Sequence, residues 1–466
     1  MKSLFIILTF FFVSFTDKGG NDQLALSAEA LALREQRGIA IDSLDYAVCP
    51  LYLDSLRRFG ARICHTSRWM NGATIETTNE KAYDIYTWSF VKALETTRLE
   101  PVVQTVPPKR MSEREETDYG DCQTQLELYN LPRLHEAGFH GQGITMAVID
   151  VGFQNLNTLT IFDSIRKHNQ ILGAYDFADD PVYGFYAEGA SHGTRCLGLI
   201  AGNREDYQGA ATEAQFYVMR TEEISTESPK ELDNLVAAYE KCDSLGVRIA
   251  SVSLGYFDFE YSPWNVTYEQ LDGKYYRASR AATIAARKGM LLCHAAGNSA
   301  DKGWEWMNVP ADADSILTVG AVWPDSTVTS FSCRGNTADG RIKPDVCAMG
   351  KNCCVTAVSS EDLIFGGGTS YATPLIAGLA ACLWSAYPDE TNMQIRERIL
   401  RSAHKYDNPD RDYGYGIPDA WKAYQLSTDL QEWRESGARV AEKILRDGRI
   451  IIIRDGVEYD ILGHKQ

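Results

Sequence analysis

The chain has 466 residues, 44% hydrophobic and 23% charged, enough for two or three domains and a large core. Its formal net charge of -17 argues against nucleic acid or an anionic membrane surface as the main partner. No stretch reaches the roughly 20 apolar residues that cross a bilayer, so no integral membrane span is expected.

Met1 and Lys2 precede an apolar run from Leu4 to Phe15, the length of a signal-peptide core. Residues 1–15 are therefore expected to direct export. A small-x-small cleavage site is missing, which leaves a first β-strand open as the other reading. Residues 16–118 resemble a small α+β module. Helical patterns lie around Ala28 to Gln36 and Glu80 to Thr97, with short strands at Gly60 to His65 and Ala73 to Thr77. Val106 to Asp121, rich in Pro and charge, reads as an exposed linker that proteases reach.

From 119 to 427 strands alternate with helices. Strands are expected at Ile144 to Ile149, Phe216 to Met219, Arg248 to Leu254, Met290 to His294 and Ile316 to Val319. Helices are expected from about His192, over Pro229 to Ser244 and over Lys274 to Lys288, and an apolar run continues from Ala372 to Tyr387. This order predicts an α/β fold: a mostly parallel sheet with helices on both faces and a site at the carboxyl ends of its strands. Residues 428–466 differ again. Asp447-Gly448 and Asp455-Gly456 separate apolar runs and predict a short β-meander that should dock on something.

Eleven cysteines form an odd set, so at least one thiol is free or pairs between molecules. Cys333, Cys347, Cys353 and Cys354 fall close together without companion histidines, which ranks disulfides above a metal site, with buried free thiols alongside. Cys242 and Cys382 sit in helical patterns and read as core.

The chemistry is expected at Phe365 to Gly378, where three glycines precede Thr369 and Ser370 at the start of the apolar run. A serine at a helix N-terminus has unpaired backbone N–H groups and the positive dipole end beside it, which favours an oxyanion. Pro374 fits a first helical turn. A glycine-rich turn with an ordinary N-cap is the plain alternative.

Three distant motifs supply what Ser370 needs: Asp150 at a strand end before Gly152, His192 opening a helix as His-Gly-Thr, and Asn298 after Ala295-Ala296-Gly297. Serine is a poor nucleophile at its own pKa, so His192 would take its proton while Asp150 fixes the tautomer. Asn298 and the Ser370 backbone N–H would hold the oxyanion. The order Asp, His, Ser and the missing G-x-S-x-G elbow disfavour lipase and esterase folds.

In these strings, with Ser251-Val252-Ser253-Leu254-Gly255, Lys343-Pro344-Asp345-Val346 and Tyr413-Gly414-Tyr415-Gly416, the region from about Tyr119 to Leu426 resembles the subtilisin family of serine peptidases. The resemblance implies an endopeptidase acting through an acyl-enzyme. Ser251, Val252, Ser253, Leu254 and Gly255 would line the substrate cleft as an edge strand, and Ala295, Ala296 and Gly297 the other wall of the primary pocket. Val151 and Tyr371 depart from the family's usual Ser or Thr and Met, which bears on rate and specificity more than on mechanism. Cys196 looks like the cysteine of the thiol-bearing members, beneath the imidazole where mercurials would act; a plain buried thiol is the alternative.

Residues 16–118 resemble the family's propeptides in place and size, which implies a zymogen whose own propeptide is an intramolecular inhibitor, cut between Arg110 and Tyr119. The tail resembles sorting signals of the bacterial type IX export route, consistent with a secreted or cell-envelope protein. No cofactor is required. Structural calcium is frequent in the family, yet no run has the oxygen-ligand spacing to place it, so no metal residue is assigned. An esterase or amidase with the same triad, and a non-catalytic peptide binder, stay open. His294 and the Trp304–Trp306 pair read as packing.

Overall fold

The computed structural model describes residues 8–99, 122–178, 185–186, 189–224 and 226–426, with the backbone of three short strands between 442 and 459. The N-terminal module is a four-stranded antiparallel sheet of β1 (Thr9–Phe15), β2 (Arg62–Ser67), β3 (Gly72–Thr77) and β4 (Val91–Arg98), in the order β2-β3-β1-β4. The apolar run expected as a signal-peptide core is, from Thr9, an inner strand of this sheet. Phe11, Val13 and Phe15 pack into the module's own core. On the opposite face Phe10 and Phe12 meet Lys230 and Arg277, at 5.0 and 4.3 Å from the ring centres. A strand covered on both faces reads as a continuous apolar run, the same pattern a signal core shows.

A single helix over Glu80 to Thr97 does not form. Asn79–Tyr86 is helical and Val91–Arg98 is β4, because β1 needs an antiparallel partner along its second edge. The linker at 106–121 lies outside the described residues.

The N-terminal module and the main sheet belong to one compact unit that runs to Tyr424, so the module is not a separate body. Its sheet lies on the helices Pro229–Ser244 and Arg277–Arg287. Buried charges join them. Arg34 and Arg68 meet Asp243 at 2.7 and 2.6 Å, Lys288 meets Asp45 at 2.8 Å, and the Arg68 backbone donates to Glu240 at 2.8 Å. Thr74 and Arg277 both bond Asp233.

The main sheet has seven strands: β5 (Thr145–Asp150), β6 (Ile171–Asp176), β7 (Gln215–Arg220), β8 (Ile249–Val252), β9 (Leu291–Ala295), β10 (Leu317–Val322) and β11 (Val346–Met349). Their order is β11-β10-β9-β8-β5-β7-β6, and every pair is parallel. The expected α/β fold with helices on both faces is therefore present. Sequence pattern alone does not reveal β6, a border strand whose alternating half-exposed side chains give a weak signal. The helix Thr369–Ala386, buried along nearly all its length, crosses one face against β8, β9 and β10. No disulfide joins the eleven cysteines, ten of which are buried, so packing replaces the expected disulfides.

The second unit, Gln425–Gln466, contains an antiparallel meander of Glu442–Arg446, Arg449–Arg454 and Val457–Tyr459. Its two Asp-Gly turns lie outside the described residues.

Candidate active site

Asp150 ends β5 with no exposed surface, and its Oδ1 lies 2.7 Å from His192 Nδ1. The same oxygen accepts the Val151 N–H at 2.8 Å. Glycine explains why the histidine helix His192–Ala201 comes so near. A Cβ on Gly193 would stand 2.5 Å from Gly152 O and 2.8 Å from Asp150 Cβ. Thr194 then locks the first turn by donating to Gln154 O at 2.8 Å. Each residue of His-Gly-Thr thus has a separate steric or bonding reason.

The His192 side chain keeps 32% of its surface exposed, so its ring is reachable from the cleft. Tyr371 stacks on it at 6.0 Å between centres and 22° between planes. Cys196 Sγ lies 3.7 Å from Nδ1, beside the imidazole as the resemblance implies. Burial works to lower the pKa of the imidazole, but the Asp150 carboxylate and the Cys196 sulfur outweigh it and hold the ring well above its usual value. Asp150, His192 and Cys196 are also the one group of metal-ligating side chains gathered within 4.8 Å among the described residues.

Ser370 is the second residue of its helix, which begins at Thr369 rather than Ala372, so Pro374 lies inside the helix and not in its first turn. Proline has no N–H to bond the carbonyl four residues back. That carbonyl is Ser370 O, and it accepts instead from Ser253 Oγ at 2.8 Å and Cys196 Sγ at 3.5 Å. The serine backbone is thereby tied both to the segment after β8 and to the histidine helix. The Ser370 hydroxyl donates to Ser253 O at 3.2 Å, and no hydrogen bond between it and His192 is found among the described residues. The hydroxyl would need to rotate toward the imidazole for transfer, as resting serine enzymes allow.

Among the described residues Asn298 is held through its Oδ1 side. Its Oδ1 accepts the Thr369 N–H at 2.8 Å and the Thr369 hydroxyl at 3.0 Å, which leaves Nδ2 free to donate. A Cβ on Gly368 would lie 3.5 Å from Asn298 Nδ2 and 3.7 Å from Ser370 N, ordinary contact distances, so the two nitrogens border one small space, and the φ of +152° is what favours glycine there. Thr369 Oγ1 also accepts the Gly297 N–H at 3.2 Å. In the sequence Thr369 reads merely as a cap; its position directly before the serine is the one signal of this second part.

β8 is not an edge strand. Ser251 and Val252 pair on both sides within the sheet and are wholly buried, so they cannot line the cleft. In a parallel sheet the site lies beyond the strand ends, where Ser253, Leu254 and Gly255 continue from β8. Ala295, Ala296 and Gly297 stand at the end of β9 in the corresponding place. His294 is buried in β9, its pKa lowered by burial to about 4, and it plays a packing part. Next to this end of the sheet Glu222 bonds the Tyr256 hydroxyl; burial and the Glu227 charge raise Glu222 to about 8, and burial with Glu260 raises Glu227 to about 7.

The model of the Subtilase family matches residues 141–416, and that of the peptidase S8 propeptide domain of Bacteroidota matches residues 10–115. Among curated proteins the chain is 28% identical over 313 residues to serine protease AprX of Bacillus subtilis, 28% over 303 residues to subtilisin E and 26% over 313 residues to the minor extracellular protease Epr, both of the same organism. These alignments cover 60%, 63% and 66% of this chain and 66%, 69% and 43% of the relatives. With its parallel sheet, its paired Asp150 and His192 and its N-terminal antiparallel module, the chain belongs to the subtilase family of serine-type endopeptidases and carries a peptidase S8 propeptide domain.

Proposed function

We propose that this chain is a secreted serine endopeptidase, made as a zymogen, that hydrolyses polypeptides through an acyl-enzyme. The observation that carries the reading is the gathering, at one end of the sheet, of a buried carboxylate bonded to a reachable imidazole and a serine whose backbone is tied to that same helix. Ser370 Oγ attacks the scissile carbonyl as His192 Nε2 takes its proton, and Asp150 steadies the imidazolium. The oxyanion receives the Asn298 Nδ2–H and Ser370 N–H bonds. Collapse breaks the C–N bond, and His192 returns the proton to the leaving amine. Water then repeats the sequence on the ester and releases the acid.

Substrate backbone pairs with Ser253 to Gly255 and with Ala295 to Gly297, which supports cleavage of many sequences. The N-terminal module acts as the intramolecular inhibitor, and its buried ion pairs with the Pro229–Ser244 helix support tight docking. Export is supported by the similarity to the minor extracellular protease Epr. No cofactor takes part in this scheme.

Casein and a nitrophenyl ester separate the readings. Hydrolysis of casein, abolished in Ser370→Ala, is expected. Brisk ester cleavage with failure on every polypeptide would point to an esterase, and inertness on both to a peptide-binding relative.

A further inference from the structure

We propose that Asn308 is the floor of the primary specificity pocket and restricts the enzyme to substrates with a small side chain, alanine, serine or glycine, on the acyl side of the cut. The inference rests on the peptidase reading above and names its substrate class.

The two segments assigned to the pocket walls leave neighbouring strands, β8 and β9, at Ser253 to Gly255 and at Ala296 to Gly297. A side chain held between them must use the space between the two glycines. That space is taken. A Cβ on Gly255 would lie 2.9 Å from Asn308 Cβ, and one on Gly297 would lie 2.7 Å from Asn308 Oδ1. The two glycines therefore face one asparagine from opposite sides.

The asparagine is also fixed. Its Nδ2 donates to Gly255 O at 3.2 Å, its backbone N–H donates to Ala296 O at 3.0 Å, and the next residue, Val309, exchanges both backbone bonds with Tyr256 at 2.9 Å. Only 6% of Asn308 is exposed. Behind it Cys333, Met307 and Ala311 form a small buried cluster with Ala296, so the floor has nowhere to retreat. An aromatic substrate side chain would have to expel the amide, break its bond to Gly255 and leave that carbonyl unpaired. A methyl group needs none of this. Discrimination on the order of tenfold to a hundredfold is expected of a pocket of fixed depth.

The test uses enzyme matured from the full-length chain, with active sites counted by a fluorophosphonate probe. The kcat/KM values are compared for succinyl-Ala-Ala-Pro-Ala and succinyl-Ala-Ala-Pro-Phe p-nitroanilides in wild type, Asn308→Gly and Asn308→Ser. Wild type is expected to favour alanine by more than about tenfold, and Asn308→Gly to reverse the order by raising the phenylalanine value. Asn308→Ser keeps a donor for Gly255 O in a shorter side chain and should fall between them. Should Asn308→Gly fail to fold, the serine variant decides. A wild type that prefers phenylalanine, or variants that leave the ratio unchanged, overturn the proposal while leaving the peptidase intact. A wild type that neither labels nor cuts either anilide overturns the peptidase reading and this inference with it.

Discussion

Thr369→Val removes a single hydroxyl and keeps the shape of the side chain. In the folded protein that hydroxyl makes two buried bonds, donating to Asn298 Oδ1 at 3.0 Å and accepting from Gly297 N at 3.2 Å. The valine methyl group can do neither. An unpaired buried N–H at Gly297 costs about 1–3 kcal/mol, and loss of the bond to Asn298 about 1 kcal/mol more, for a total of about 2–4 kcal/mol. The melting temperature should fall by several degrees. Asn298 keeps its second anchor, the Thr369 backbone N–H at 2.8 Å, so its amide becomes less well aimed but stays in place. Loss of a whole oxyanion donor costs roughly 100- to 1000-fold in kcat, and partial misalignment should cost about 10-fold, with KM held within a factor of about two. Calorimetry and p-nitroanilide kinetics, normalised to titrated active sites, measure both effects. Thr369→Ser should restore both. A Thr369→Val enzyme with wild-type kcat would refute the claim that this threonine aims the asparagine.

The same geometry sets four further outcomes. Because Asp150 holds the His192 pKa well above 6.5 and catalysis needs the neutral ring, kcat/KM should rise with pH and reach half its plateau above pH 6.5; a midpoint at or below that value contradicts the assigned pair. Asp150→Asn should lower kcat by about 10⁴-fold while the protein still folds, as rate assays and circular dichroism would show. Glu227 titrates near 7 in the fold against 4.5 when free, so stability is lost as pH climbs from about 4.5 to about 7, and Glu227→Gln should melt higher than wild type at pH 9 yet match it at pH 4. Asp243→Asn removes one of the two buried carboxylates that Arg34 and Arg68 share and leaves Asp45, at 3.0 and 3.8 Å, as the other, at a cost of about 1–3 kcal/mol. The proposed inhibitory grip of the N-terminal module should then weaken by about tenfold or more, seen as an earlier onset of activity during maturation.

The strand and helix order of the main sheet is legible in the sequence because buried parallel strands and amphipathic helices have different periods, and Pro229 and Ser228 even mark where one helix starts. The four candidate site residues are legible as motifs because each is framed by a glycine or small residue, as Gly193 lets the histidine helix come close to Asp150. Three kinds of information are not. An inner strand such as β1, covered by its own core on one face and by the helices Pro229–Ser244 and Arg277–Arg287 on the other, has the same apolar run as an export signal. Segment 91–98 is a strand only because β1 requires a neighbour, a long-range demand that local propensity does not carry. Ser251 and Val252 belong to a motif that reaches the cleft, but only its last three residues clear the sheet, and pairing on both sides decides that. The part of Pro374 is half visible: proline in a helix frees one carbonyl, yet that Ser253 and Cys196 take it emerges only from the packing.

The most direct test of the central claim, that Ser370 is the nucleophile activated by His192, is intact-mass and peptide mapping after reaction of the matured enzyme with a fluorophosphonate. The expected result is one adduct, located on the peptide that carries Ser370, formed with the pH dependence of the imidazole and absent in His192→Ala. An adduct at another residue, or vigorous casein hydrolysis by an enzyme that takes up no label at Ser370, would contradict it.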